Sequence, residues 1–308
     1  MCYSAMVEEE FRHYLRMTGA EMDLQQFAEI YGLRASGVNV RIARCVDRWF
    51  DAPQTPEARR IKDLIDAYRN GATVKLETEL FAQKRRLADA ERKLQVKQTK
   101  AASESRRIAI DKIAQALARL PLLKDSKPHA ADGRVFPMHY VPLVVKDGER
   151  TVLKLARYHC RQAGKPASID RQFPGLYNAR RDNIEKFWRN EFTQQHGLML
   201  VNSFYENVER DGKNAVLCFV PKPAGTMFIA CLYSRWVDPK DGELLSFAAI
   251  TDEPPAEVAA AGHDRMIVNI QQHNIDRWLS PRDQTVEELQ AILSDRQTPY
   301  YEHQVLAA

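Results

Sequence analysis

The 308 residues are 44% hydrophobic and 28% charged, with 13 Gly and 15 Pro, which supplies at least one complete core and excludes disorder along the whole length. Lys and Arg number 45 against 41 Asp and Glu, and a formal charge of +4 by itself names neither nucleic acid nor membrane as a partner. No apolar run reaches the roughly 18 residues that cross a bilayer, and MCYSAMVEEEF turns acidic where a signal peptide needs a cationic start, so no membrane partner and an intracellular, cytoplasmic setting are expected.

In chain order, EEEFRHYLRM and DLQQFAEIYGLR read as helices, with Gly19 and Gly32 as terminators. Between Pro56 and Pro128 stand 18 Lys and Arg against 10 Asp and Glu, so this segment holds the basic excess of the chain. Leu80, Leu87, Leu94, Ala101 and Ile108 recur every seven residues there, which predicts one long helix with a single narrow apolar row. Gln83, Ala90 and Lys97 occupy the partner spacing. A helix lying along a neighbour or a helical pair is therefore expected over a stable two-stranded coiled coil, with residues 76–120 as the place for a protein partner or self-association.

From Arg134 the pattern becomes strands joined by Asp-Gly turns: HYVPLVV through KDGE to RTVLKLARYHC, LMLVNSFYENVE through RDGK to NAVLCFV, and TMFIACLYSRWV through DPKDGE to LLSFAAIT. The strand-like RMIVNI follows, and HNIDRWLS and TVEELQAILSD supply late helices. An α+β fold is expected, with a mostly antiparallel sheet or barrel, flanking helices and a long helical insertion near the start. The expected organisation is a first strand at residues 1–7, the insertion at 8–130 and the main body at 131–308.

Glycine-rich dinucleotide and phosphate loops, H-E-x-x-H and G-x-S-x-G are all missing from the sequence. The five cysteines, Cys2, Cys45, Cys160, Cys218 and Cys231, are odd in number, scattered and without a C-x-x-C pair, so reduced thiols are expected. The histidines show no ligand spacing, and neither metal nor cofactor is expected. Cys2 is distinctive. Removal of Met1 would place a free α-amine and a thiol on adjacent carbons, with reference pKa values of about 8 and about 8.5, so each can attack a carbonyl near neutrality. Such a residue also serves as an N-terminal nucleophile in acyl transfer, and a small residue in a first strand needs no chemistry at all.

Three downstream pieces bear on that choice: LYNARRDNI with Asn178 and Arg180, SFYENVE with Glu206, and AGHDRMIV with His263 and Arg265. Together with the initial Met-Cys they resemble, in order and spacing, the SOS response-associated peptidase (SRAP) family. Its members begin Met-Cys-Gly-Arg and carry Asn-Ala-Arg, a Glu after an aromatic pair, and His-Asp-Arg-Met-Pro. The resemblance covers residues 1–5 and roughly 134–280.

It implies covalent capture of abasic sites in single-stranded DNA, in which Cys2 condenses with the sugar aldehyde to a thiazolidine. It further implies that Asn178 holds the sugar-derived group and that Glu206 relays protons and assists removal of Met1. His263 would be a second acid/base or orienting group, and Arg180 and Arg265 would hold phosphates flanking the lesion. Singly, each residue has a plainer use: Asn178 or Asp182 capping the helix at DNIEKFW, Glu206 pointing into water, His263 in a loop, and Arg180 and Arg181 pairing with surface carboxylates. Their joint occurrence with Cys2 favours the family reading.

The sequence departs from the family at Tyr3 and Ser4, where Gly-Arg is usual, at Asn207 in place of Trp and at Ile267 in place of Pro. The basic helical segment is a candidate replacement for the lost cation, and its alternative is a solvated charged helix. The competing functions are an N-terminal-nucleophile amidotransferase or peptidase, and a non-catalytic DNA-binding or helix-mediated adaptor.

Overall fold

Strands that alternate apolar side chains need two partners to cover both faces, and the hairpins read from the sequence provide them. The computed structural model describes residues 4–8, 10–125, 127–210, 213–239 and 242–306. Its strands are β1 (Ser4–Val7), β2 (Glu21–Met22), β3 (Arg41–Ile42), β4 (Arg134–Val135), β5 (His139–Asp147), β6 (Arg150–Tyr158), β7 (Asn178–Arg180), β8 (His196–Arg210), β9 (Lys213–Lys222), β10 (Met227–Asp238), β11 (Gly242–Asp252), β12 (Met266–Ile267) and β13 (Tyr300–Val305). The pairs β5–β6, β8–β9 and β10–β11 are the three expected hairpins. At the first, Gly148 takes φ 61°, a conformation that a two-residue hairpin loop assigns to glycine.

The sheet closes on itself. β8 pairs with β10, β10 with β11, β11 with β6, β6 with β5, and β5 returns to β8. Each antiparallel neighbour reverses strand direction, so a ring of five strands requires a parallel pair, and β6–β11 supplies it. Closure brings Val145 opposite Gly197, where a Cβ would stand 2.9 Å from the Leu143 side chain, so the seam needs a residue without one. Alternate residues of the ring feed two cores. Leu143, Met199, Ile229 and Phe247 enter one, and Val144, Leu198, Ala230 and Ala248 enter the other.

The helices are α1 (Phe11–Thr18), α2 (Leu24–Ala35), α3 (Arg44–Arg48), α4 (Pro56–Val96), α5 (Lys100–Lys124), α6 (Ile169–Gln172), α7 (Ile184–Phe187), α8 (Arg189–Gln194), α9 (Ala256–Ala260), α10 (Ile275–Leu279) and α11 (Val286–Ser294). Gly19 ends α1 at φ 65°, but Gly32 lies inside α2, which starts at an Asp23 side chain accepting from Gln26 N–H. Within α11 a Thr285–Glu288 capping box forms. Trp278 of α10 is fully buried, stacks on His196 at 3.7 Å and donates to the Gly197 carbonyl, anchoring the late helices to the ring.

The single helix expected through Ile108 is two. α4 stops at Val96, Lys97 is extended, and the Thr99 side chain caps a new helix by accepting from Ala102 N–H. The buried residues facing each other are Leu80, Gln83 and Ala90 on α4 and Ala102, Ala109 and Ala116 on α5. The seven-residue row therefore breaks at the loop, and small residues one position further on let the two helices approach closely.

The segment from 8 to 130 divides. β2 pairs with β6, β3 pairs with β5, and Phe27 and Tyr31 of α2 join the core of the body. Ile61 and Ile65 root α4 in that core, and the rest of α4 with α5 forms a helical hairpin. No helix among the described residues is long and apolar enough to cross a membrane.

Candidate functional site

Glu206 lies in β8 with no exposed surface, so the expectation of a carboxylate pointing into water does not apply to it. A buried carboxylate is costly unless it meets a partner. That partner is His263, in the turn between α9 and β12, whose Nε2 is 3.0 Å from Glu206 Oε2. His263 Nδ1 lies 2.7 Å from the Arg265 carbonyl, to which it donates. With Nδ1–H so engaged, a proton on Nε2 or on Oε2 is needed to make the contact with Glu206 attractive. The arrangement can accept and return a proton out of bulk water.

The first strand starts beside the β8 residue next to Glu206. β1 runs antiparallel to β8 with Ser4 opposite Tyr205, so β1 begins at the Glu206 end of β8. Met1, Cys2 and Tyr3 lie outside the described residues, and the role expected for Cys2 rests on the sequence alone. Of the remaining cysteines, Cys45, Cys160, Cys218 and Cys231 are all buried. Burial raises the Cys160 and Cys231 thiols far above their ordinary range, which leaves them poor nucleophiles at neutral pH.

Asn178 and Arg180 lie on β7, two residues apart and so on one side of the strand, where it pairs in parallel with β11 at Ala249 and Thr251. Asn178 is buried and Arg180 exposed. Asn178 is strand, not a helix cap. Arg180 and Arg265 converge on Asp182, with Nη2 to Oδ2 distances of 2.6 and 2.9 Å. Hydrogen bonds from Arg180, with the Arg265 charge nearby, hold the Asp182 carboxyl below its usual range. Arg181 turns away and pairs with Asp252 at 3.0 Å. Thus Glu206, His263, Arg265, Asp182 and Arg180 form one chain of contacts.

Two residues escaped the sequence reading. Asp182, weighed there only as a cap, is the shared counter-ion of the two arginines. Arg134, on β4 beside β1, donates to Ser4 Oγ through Nε and Nη2, and its guanidinium lies 4.0 Å from the Tyr205 ring centroid. Among the buried and half-buried arginines of the sheet body, Arg44, Arg48, Arg157, Arg161, Arg181 and Arg265 each hold a carboxylate, whereas Arg134 has none among the described residues. An arginine two residues before an aromatic, as in Arg134–Val135–Phe136, was the available signal. No group of three His, Cys, Asp or Glu side chains is placed to hold a metal ion among the described residues.

Comparison with known proteins gives three findings. The sequence pattern of the SOS response associated peptidase (SRAP) family matches residues 97–307. Abasic site processing protein YoqW of Bacillus subtilis (strain 168) is 27% identical over 121 residues, covering 38% of this chain and 54% of that protein. Abasic site processing protein YobE of the same organism is 27% identical over 121 residues, 38% of this chain and 55% of its own length. The chain thus spans about half the length of these relatives. Among solved structures, a Bacteroides thetaiotaomicron protein superposes with TM-score 0.49 at 16% identity, over 57% of this chain and 78% of that one. A phage-related protein of Bordetella bronchiseptica gives 0.45 at 15% identity, over 62% and 89%.

Proposed function

The chain belongs to the SOS response associated peptidase family, and from that premise we propose that it processes abasic sites in single-stranded DNA by covalent capture on Cys2. The reading is supported above all by the buried Glu206–His263 pair at the end of β8 where β1 begins. The names of YoqW and YobE, each an abasic site processing protein, point the same way.

In the proposed reaction, removal of Met1 frees the Cys2 amine, which adds to the aldehyde carbon of the opened sugar. The carbinolamine loses water to give an imine, the thiolate sulfur adds to the imine carbon, and nitrogen takes up a proton to leave a thiazolidine. Ring opening, dehydration and closure each move a proton, the task assigned to Glu206 with His263. Glu206 also assists the hydrolysis that removes Met1. Asn178 holds the sugar-derived group against Cys2, and Arg180 and Arg265 exchange Asp182 for backbone phosphates, which fixes position without reading bases.

The test is incubation of the full chain with a single-stranded oligonucleotide carrying one abasic site, followed by denaturing electrophoresis. A shifted species is expected with the damaged strand, and none with intact DNA or with Cys2→Ala. An adduct that persists in Cys2→Ala, or a protein whose intact mass retains Met1, overturns the reading. Glutamine hydrolysis or cleavage of a supplied peptide, without an adduct, would favour an N-terminal-nucleophile hydrolase instead.

A further inference from the structure

Beside the proposed site, Arg134 has no carboxylate partner among the described residues, and the side chains beyond it along the surface follow a pattern. Its guanidinium is 5.0 Å from the ring centroid of Phe136, and the Phe136 ring is 5.5 Å from that of His139. His139 in β5 is paired with Arg41 in β3. Burial, with the Arg41 charge added, pushes the His139 imidazole down to about 4, so at neutral pH the ring is an uncharged aromatic face.

Arg41 in turn lines a cleft of about 1370 Å³ between the α2–β3 loop and the base of the α4–α5 hairpin, together with Lys75 of α4 and Arg119 of α5. Arg41, Lys75 and Arg119 are exposed, and none has an ion-pair partner among the described residues. The cleft also holds Lys112 and Glu79, which neutralise each other at 3.1 Å. Further out on the hairpin Arg92 pairs with Asp89, Arg106 with Glu91, and Arg107 with Glu104 and Asp111, while exposed Lys84, Arg85, Lys93, Lys97 and Lys100 have no ion-pair partner among the described residues. Cations without an ion-pair partner among the described residues thus occur both far out on the hairpin and at its base, where Arg41, the β-sheet neighbour of His139, joins Lys75 and Arg119 in one cleft.

We propose that this line of rings and cations, from Arg134 through Phe136, His139 and Arg41 into the cleft at Lys75 and Arg119, is a track for single-stranded nucleic acid. It deepens, and rests on, the reading of the Glu206–His263 region as the capture site, since it gives the strand flanking the lesion a path onto the helical hairpin. Cations follow the phosphates, and ring faces accept any unstacked base, so the track is expected to be tolerant of sequence and sensitive to salt. A duplex keeps its bases stacked inside and offers nothing to the Phe136 and His139 faces.

The test uses the full chain and an undamaged fluorescein-labelled thymidine 20-mer, which has no aldehyde, with Kd measured at several salt concentrations. The variant Arg41→Glu/Lys75→Glu/Arg119→Glu changes exposed side chains only. Its affinity is expected to fall about tenfold or more, and the slope of log K against log salt to flatten by about 2, at roughly 0.7 for each phosphate no longer neutralised. Phe136→Ala is expected to weaken binding with the slope unchanged.

Equal affinity and slope for wild type and triple variant overturns the track, as does equally tight, equally charge-dependent binding of a blunt 20-base-pair duplex. The two proposals fail separately. A wild type that binds the 20-mer through these charges yet forms no adduct with abasic DNA sinks the capture reading and leaves the track. Adduct formation combined with a triple variant that binds the 20-mer normally does the reverse.

Discussion

His263 Nε2 stands 3.0 Å from Oε2 of Glu206, a carboxylate that the closed sheet removes entirely from solvent. Each partner makes the burial of the other tolerable, and this dependence yields the first prediction. His263→Ala should destabilise the protein by about 3 kcal/mol in urea unfolding, because it leaves a buried acid alone. Glu206→Gln retains shape and should cost about 1 kcal/mol, while adduct formation slows by about 100-fold or more as the proton relay is removed. Equal destabilisation by both changes would contradict the pairing.

Asp182 occupies both Arg180 and Arg265 in the unliganded protein. If those arginines take phosphates, Asp182→Ala removes an internal competitor. Binding of undamaged single-stranded DNA, measured by fluorescence anisotropy at low salt, should tighten about threefold, the scale of a surface ion pair. Weaker binding would instead mean that Asp182 is needed to orient the two side chains.

His196 is buried between the Trp278 and Phe192 carbonyls, and burial pushes its imidazole down to about 4 despite those acceptors. The native form is therefore neutral where the unfolded chain, at about 6.5, gains a proton. Stability is fully present above about 6.5, falls by at most about 1.4 kcal/mol per pH unit on acidification, and levels off below about 4. Glu191, raised by burial, contributes with the opposite sign near the acid end of that window. Denaturant midpoints between pH 7.5 and 5 should thus show a flatter dependence in His196→Gln, by one proton.

Ala109 is fully buried at the contact between α4 and α5. Ala109→Leu should force these helices apart, at a cost of about 1 to 3 kcal/mol. Because α4 joins the body core near its start, at Ala58, Ile61, Leu64 and Ile65, the effect should be local. Hydrogen exchange is expected to quicken along 80–116 with β8 amides unchanged. Uniform loss of protection would show that the hairpin and ring unfold as one unit.

How far the sequence alone reached can be judged from particular elements. The three hairpins and the late helix at TVEELQAILSD were legible because alternation and turn chemistry act within about ten residues. The helical row at Leu80 was half legible. Its period was visible, but the Thr99 cap that folds α5 back on α4 competes with helix continuation, and the outcome depends on whether two apolar faces can meet. Asn178, Glu206, His263, Arg180 and Arg265 were picked out by motif order, with no indication of what each would touch.

Local patterning determined where this chain turns, which stretches become strands or helices, and which residue types are available for chemistry. The tertiary structure decided the rest: β5 returning to β8 at Gly197, Glu206 withdrawn from water, and Asp182 drawing two arginines together while Arg134 keeps no carboxylate among the described residues. Burial and electrostatic pairing are properties of groups brought close by long-range strand pairing. They arise only once the ring has closed, and no window of neighbouring residues encodes them.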